Sequence, residues 1–170
     1  TILGQAEAKA HGTNIEEVHF HEVGAIDSIV DIISAAVCIV DLGIERVYLP
    51  YLAEGHGTIR CAHGIIPIPV PAVSNIVSIH GIPLKTIDMY GEFVTPTGAA
   101  IAAAIVTDRS RPKDYVIKRT GIGAGKRKYE RASIVRVMEI EENKGYSNIN
   151  IGRDEIWRLE SDIEIGRAHV

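Results

Sequence analysis

Between Ile26 and Val40 the apolar residues crowd together. Ile29, Val30, Ile32, Ile33, Ala36, Val37, Ile39 and Val40 cover most of the circumference of a helix. A helix apolar nearly all round belongs in an interior, so the pattern predicts a buried central helix. Asp27 or Ser28 caps its start, Asp31 follows Ser28 at capping-box spacing, and Gly43 supplies a left-handed stop.

The flanking pattern alternates irregularly. Ala6–His11 is helical and ends at Gly12-Thr13-Asn14, and Val18-His19-Phe20-His21 alternates apolar and polar as an extended segment does. Arg46–Leu49 reads as a short strand. Gly57–Ile68 is β-rich with a bend at Gly64, and Pro67, Pro69 and Pro71 keep it out of a sheet centre. Pro71 opens a helix that Gly81 stops. Pro83–Met89 is a strand, and Thr95 caps a helix with Pro96 at its first position, made of small residues to Ala104. Tyr115–Thr120 and Ser133–Glu141 are strands joined by a glycine-rich, basic connection. The expected class is α+β, with strands and helices alternating around the buried helix.

Composition narrows the function. At 46% hydrophobic and 24% charged the chain is globular rather than disordered. Aromatics at 5% and a net charge of −4 argue against a base-stacking surface or a polyanion partner, so no nucleic acid is expected. Asp27, Ser28, Asp31 and Ser34 interrupt the longest apolar run, so no membrane span is expected. Cys38 and Cys61 are the only cysteines, which suits free thiols in a reducing, cytoplasmic compartment.

Thr1 is not an initiator Met, and Ile165–Val170 reads like translated adapter sequence, so a reading frame truncated at both ends is expected. The expected division is a main domain over 1–142, a polar linker over 143–152, the first strand of another domain over 153–163 and a non-native tail over 164–170.

Four constellations could carry chemistry. In His19-Phe20-His21-Glu22 both imidazoles share one face of an extended segment, with Asp27 and Asp31 a helical turn apart just downstream. Imidazole and carboxylate together suit Zn, Ni, Fe or Mn. The plainer alternative is solvent-facing histidines and helix-capping aspartates. His56 and His63 each have glycine beside them, which clears space for a ligand near the backbone or merely serves turns. Cys61 and His63, two apart, share a face if the segment is a strand.

The third is Glu92 through Gly98, where the start of a Thr95-capped helix offers amide groups, a positive dipole end and the Thr97 hydroxyl to an anion. A structural cap is the alternative. The fourth is Gly121–Lys128, inside a stretch from Asp108 to Arg131 with nine Lys or Arg against three Asp or Glu. Its glycine amides and Lys126 suit a phosphate cradle, or a solvated hairpin tip. The spacing is not that of a Walker loop.

Read together, His19-Phe20-His21-Glu22-Val23-Gly24-Ala25-Ile26-Asp27-Ser28-Ile29-Val30-Asp31-Ile32, His63-Gly64 with the proline-rich stretch 67–72, and Glu92-Phe93-Val94-Thr95-Pro96-Thr97-Gly98-Ala99-Ala100 resemble the LarC family. The resemblance runs from about Ala6 to Asp162. It implies a cyclometallase that inserts nickel into pyridinium-3,5-bisthiocarboxylic acid mononucleotide, forming Ni–S and Ni–C bonds, with CTP hydrolysed and Mg or Mn required. It also implies that the CTP site lies outside this chain, that an apo lactate racemase-type enzyme accepts the product, and that the full-length protein is a homo-oligomer. Departures include Ser161, where the family tends to have Asn. The candidate metal ligands are His19, His21, Glu22, Asp27, Asp31, His56, His63 and Glu92. The candidate phosphate contacts are Thr95, Thr97 and Gly98, with Lys126 or Arg127 closing over them. Two other readings remain open: a nickel-storing module without turnover, and a metal-dependent hydrolase in which His21, Glu22 and Asp27 activate water.

Overall fold

The computed structural model describes residues 1–18, 26–61, 63–127, 129 and 132–142, and the backbone of 156–160. Among these lie four α-helices, α1 (Ile2–His11), α2 (Ile26–Asp41), α3 (Pro71–His80) and α4 (Pro96–Ile105). The strands are β1 (Arg46–Tyr48), β2 (Leu52–His56), β3 (Thr58–Cys61), β4 (Gly64–Pro67), β5 (Leu84–Tyr90), β6 (Tyr115–Ala124), β7 (Ile134–Glu142) and β8 (Ile156–Glu160). This is the expected mixed α+β class.

The main core forms where α1, α3 and α4 pack on one another beside β2 and β5, which pair in parallel. Leu3 and Ala6 come from α1, Val73 and Ile76 from α3, and Ala99, Ala100 and Ala102 from α4. The alanine face of α4 buries little area per residue but lets its backbone come close to α3. Larger side chains fill the space between, and Leu49 and Ile76 are fully enclosed. Burying each is worth about 1.5–3 kcal/mol relative to exposure. Pro71 and Pro96 sit at the first positions of α3 and α4, as expected, and Gly81 ends α3 in the left-handed conformation with φ 61°.

A four-stranded sheet runs in the order β1-β8-β7-β6, parallel between β1 and β8 and antiparallel elsewhere. Tyr48, Met138 and Ile140 form a second buried cluster there. Strand β8, expected to open another domain, is hydrogen-bonded between β1 and β7, so its backbone belongs to a sheet built from the 1–142 part. The linker at 143–152 and the tail at 164–170 lie outside the described residues.

The expectation of a buried central helix is overturned. Ser28 is the buried residue of α2, while Ile29, Val30, Ile33, Val37 and Val40 are exposed. The main described contact of α2 is with α4, and its first turn carries a bond that ties the two together. Beyond that turn only Ala35 and Ile39 are half-buried, and the other apolar side chains of α2 are exposed. The glycine-rich connection is also different from a loop. Gly121 and Gly123 lie within β6, opposite Val137 and Val135, and Gly125 N–H donates to the Ser133 carbonyl at 3.0 Å.

Candidate functional site

A cavity of about 700 Å³ opens where α1, the β3–β4 hairpin and the first turns of α2, α3 and α4 meet. That volume is typical of sites that take small organic ligands. Its lining includes Asp27, Asp31, His63, Glu92, Thr95, Thr97 and Arg127, seven residues singled out from sequence. Glu7, His11, Ser28, Arg60 and Cys61 line it as well.

Each helix start follows from local chemistry. Thr95 Oγ1 accepts from Gly98 N–H at 3.1 Å, the expected cap. Pro96 brings no N–H and that of Gly98 is committed to the cap, which leaves the Thr97 amide as the donor of this turn. The Thr97 hydroxyl donates to Ser28 Oγ at 3.2 Å, and Asp27 Oδ1 accepts from Ser28 N–H at 2.9 Å. Ser28 thus bonds to α4 rather than closing the expected capping box with Asp31. Helix α3 has no side-chain cap at Val70, and its first residues Val70, Pro71 and Ala72 line the same cavity. Three positive dipole ends therefore converge here.

The Glu92 wall is rigidly built. Glu92 has a side chain only 8% accessible, and its Oε2 accepts from Arg127 Nη1 at 3.0 Å. The Tyr129 hydroxyl donates to the Glu92 carbonyl at 3.0 Å, and its ring lies 4.4 Å from that of Phe93. Contact with the Tyr129 hydroxyl, and then with Glu92, holds the Arg127 guanidinium above its ordinary range. Beneath the loop, Glu54 is buried. Its Oε1 accepts from the backbone N–H groups of Gly55, Phe93 and Val94 at 2.9, 2.8 and 3.2 Å, while its Oε2 has no hydrogen-bond partner among the described residues. Burial pushes its carboxyl up against those three bonds.

Where α1 meets the β3–β4 hairpin, the rings of His11 and His63 lie 4.8 Å apart between centroids. His11 Nε2 is 3.7 Å from Glu7 Oε2, one turn earlier on α1. Among the described residues, no group of three or more His, Cys, Asp or Glu side chains is gathered closely enough to hold an ion.

Several candidates fall elsewhere. His19, His21 and Glu22 lie outside the described residues. His56 does not line the cavity: its Nε2 is 3.4 Å from Asp88 Oδ1 and its ring meets Tyr90 edge-on. The glycines beside it admit neighbouring chain rather than a ligand. A Cβ on Gly55 would lie 2.0 Å from the Gly91 carbonyl oxygen, and one on Gly57 would lie 2.2 Å from Tyr90. Lys126 is exposed and outside the lining, and Arg127 is engaged with Glu92 rather than held over the start of α4. Glu7 and His11 were readable only as an i, i+4 pair on a terminal helix, a spacing that usually marks nothing more than a solvated face.

Taken together, these features put imidazole, carboxylate, arginine and three helix starts around one cavity whose size suits a small organic ligand. Residues 1–164 match the model of the nickel insertion protein family, and the chain belongs to that family. It is 49% identical over 172 residues to a protein of Alkaliphilus metalliredigens named pyridinium-3,5-bisthiocarboxylic acid mononucleotide nickel insertion protein, covering 96% of this chain and 41% of that one. Proteins with the same name in Staphylococcus epidermidis and Desulfitobacterium hafniense are 46% and 41% identical, over 82% and 96% of this chain and 35% and 40% of theirs. The chain thus spans about two fifths of the length of the curated relatives it matches. No solved structure matches it. No described helix is long and apolar enough to cross a membrane.

Proposed function

We propose that this chain forms the metal- and nucleotide-handling part of a protein that inserts nickel into pyridinium-3,5-bisthiocarboxylic acid mononucleotide. The observation that carries the reading is one cavity joining two kinds of chemistry within a family of nickel insertion proteins. Nickel is cargo here. It needs donors that hold it and release it, and His63, Asp27 and Asp31 put imidazole and carboxylate on the cavity wall, whereas Glu92 is engaged with Arg127. His19, His21 and Glu22 precede α2 in sequence and remain part of the proposed ligand supply.

The nucleotide phosphate docks between the starts of α3 and α4. The first-turn amides of α3 and the Thr97 amide supply donors, the dipole ends favour negative charge, and Arg60 lines the same cavity. Arg127 acts on the site indirectly by neutralising Glu92, which would otherwise repel the phosphate. Thr95 and Gly98 shape the turn as cap and capped amide. Lys126 contributes long-range attraction only. The substrate then presents its thiocarboxylates toward the imidazole rim.

CTP with Mg or Mn belongs outside residues 1–170, as the resemblance to LarC implies. The acceptor of the product is an apo enzyme of the lactate racemase type, and the setting is cytoplasmic. The exposed apolar side chains of α2 support a homo-oligomer in the full-length protein.

Single-turnover incubation of the full-length protein with substrate, nickel and CTP tests the reading. A nucleotide carrying Ni–C and Ni–S bonds is the expected product. Nickel retention without nucleotide binding would make the protein a store, and cleavage of phosphate or ester bonds would make it a hydrolase.

A further inference from the structure

We propose that His11 and His63 form a two-imidazole nickel-binding site at the cavity rim, with the Glu7 carboxylate beside it. The choice of nickel rests on the function proposed above, whereas the site itself rests on geometry. His11 sits in the last turn of α1, and His63 sits in the turn between β3 and β4. Distant parts of the sequence bring these two rings to 4.8 Å between centroids, at an interplanar angle of 56°. Imidazoles bind first-row ions at about 2.0–2.1 Å, so two of them on adjacent positions of one ion have centroids roughly 4.5–5.2 Å apart. The observed spacing falls inside that window, and the tilt keeps the rings from stacking face to face.

Glu7 Oε2 lies 3.7 Å from His11 Nε2. At that separation the carboxylate is not hydrogen-bonded to the ring, but it places negative charge beside it that favours a cation at the rim. Both histidines are exposed and both line the cavity, so an ion there is reached from solvent and faces inward. No third His, Cys, Asp or Glu closes the set among the described residues. Two imidazoles at the cavity rim can hold an ion loosely enough to pass it to sulfur ligands on a substrate.

The test uses the full-length protein and nickel ion alone, titrated by calorimetry into wild type, His11→Asn, His63→Asn and the double variant. Both residues are exposed, so circular dichroism and the thermal midpoint should not change. Each single variant should lose at least tenfold in nickel affinity, and the double variant should lose less than the product of the two. A second measurement does not depend on loss: His63→Cys should add a new sulfur-to-nickel charge-transfer band on nickel addition. Nickel binding within twofold of wild type in either single variant, or no new band in His63→Cys, overturns the site. If those variants bind nickel normally while wild type metallates the nucleotide, the site fails and the function stands. If they lose nickel while wild type makes no product, the site stands and the function fails.

Discussion

The hydroxyl of Thr97 donates to that of Ser28 across 3.2 Å, tying the first turn of α4 to the first turn of α2. Ser28 is the buried residue of α2, so this bond anchors a helix whose apolar side chains are mostly exposed. Thr97→Val keeps the shape and removes the donor. It should cost about 0.5–1.5 kcal/mol in urea unfolding, the usual worth of a neutral hydrogen bond. It should also weaken binding of a substrate analogue by loosening the turn that presents the Thr97 amide. Normal analogue binding by this variant, with binding abolished in Lys126→Ala, would move the anion site to the end of β6.

Glu92 and Arg127 form an asymmetric pair, with the carboxylate 8% and the guanidinium 58% accessible. Arg127→Ala deprives a nearly buried charge of its cation and should destabilise by about 1–3 kcal/mol. Adding Glu92→Gln to that variant should restore much of the loss. A double-mutant cycle by chemical denaturation checks both steps.

Glu54 makes stability depend on pH. Burial holds its folded carboxyl above the ordinary glutamate range, despite three backbone donors. A group that holds its proton more tightly when folded stabilises the fold at low pH. That contribution is lost as pH rises from the unfolded value through the folded one. Glu54→Gln should flatten this fall. Urea midpoints measured upward from pH 4.5 for both proteins give the comparison, and parallel curves would show that Glu54 does not carry the slope.

Gly55 has no room for a side chain. A Cβ there would meet the Gly91 and Met89 carbonyl oxygens at 2.0 and 2.8 Å, and both are backbone atoms that cannot rotate away. Gly55→Ala should therefore cost more than about 3 kcal/mol, or prevent soluble expression altogether. Gly121→Ala, with nothing within 4 Å, is the control and should be tolerated.

Local signals were legible wherever one residue dictates its own surroundings. Pro71, Pro96, Thr95 and Gly81 marked helix ends because their constraints act within a single turn. Gly64 marked the β3–β4 turn for the same reason. The misreadings share a cause, which is that burial is decided by distant chain. Apolar periodicity in α2 said that it needs a cover, not that the described residues supply one. The glycines of β6 suggested a loop, yet β7 pairs with them. In the site, the Thr95 cap and the Asp27–Asp31 face were readable from spacing. The approach of His11 to His63 depends on how the hairpin packs near α1, and no local pattern encodes that. The glycines around His56 likewise invited a ligand, when the strand partners Gly91 and Tyr90 occupy that space.

The central claim is that the cavity bordered by α1, the β3–β4 hairpin and the helix starts is where the nucleotide is metallated. Cys61 is half-buried in its wall, and a tryptophan side chain at that position would narrow the cavity beside the β3–β4 hairpin and crowd a bound nucleotide. The direct test is mass spectrometry of the nucleotide after a single turnover by full-length wild type and by Cys61→Trp, both checked for fold by circular dichroism. The account predicts one nickel per nucleotide with wild type and no nickelated product with Cys61→Trp. Equal yields from the two proteins would place the reaction elsewhere and contradict it.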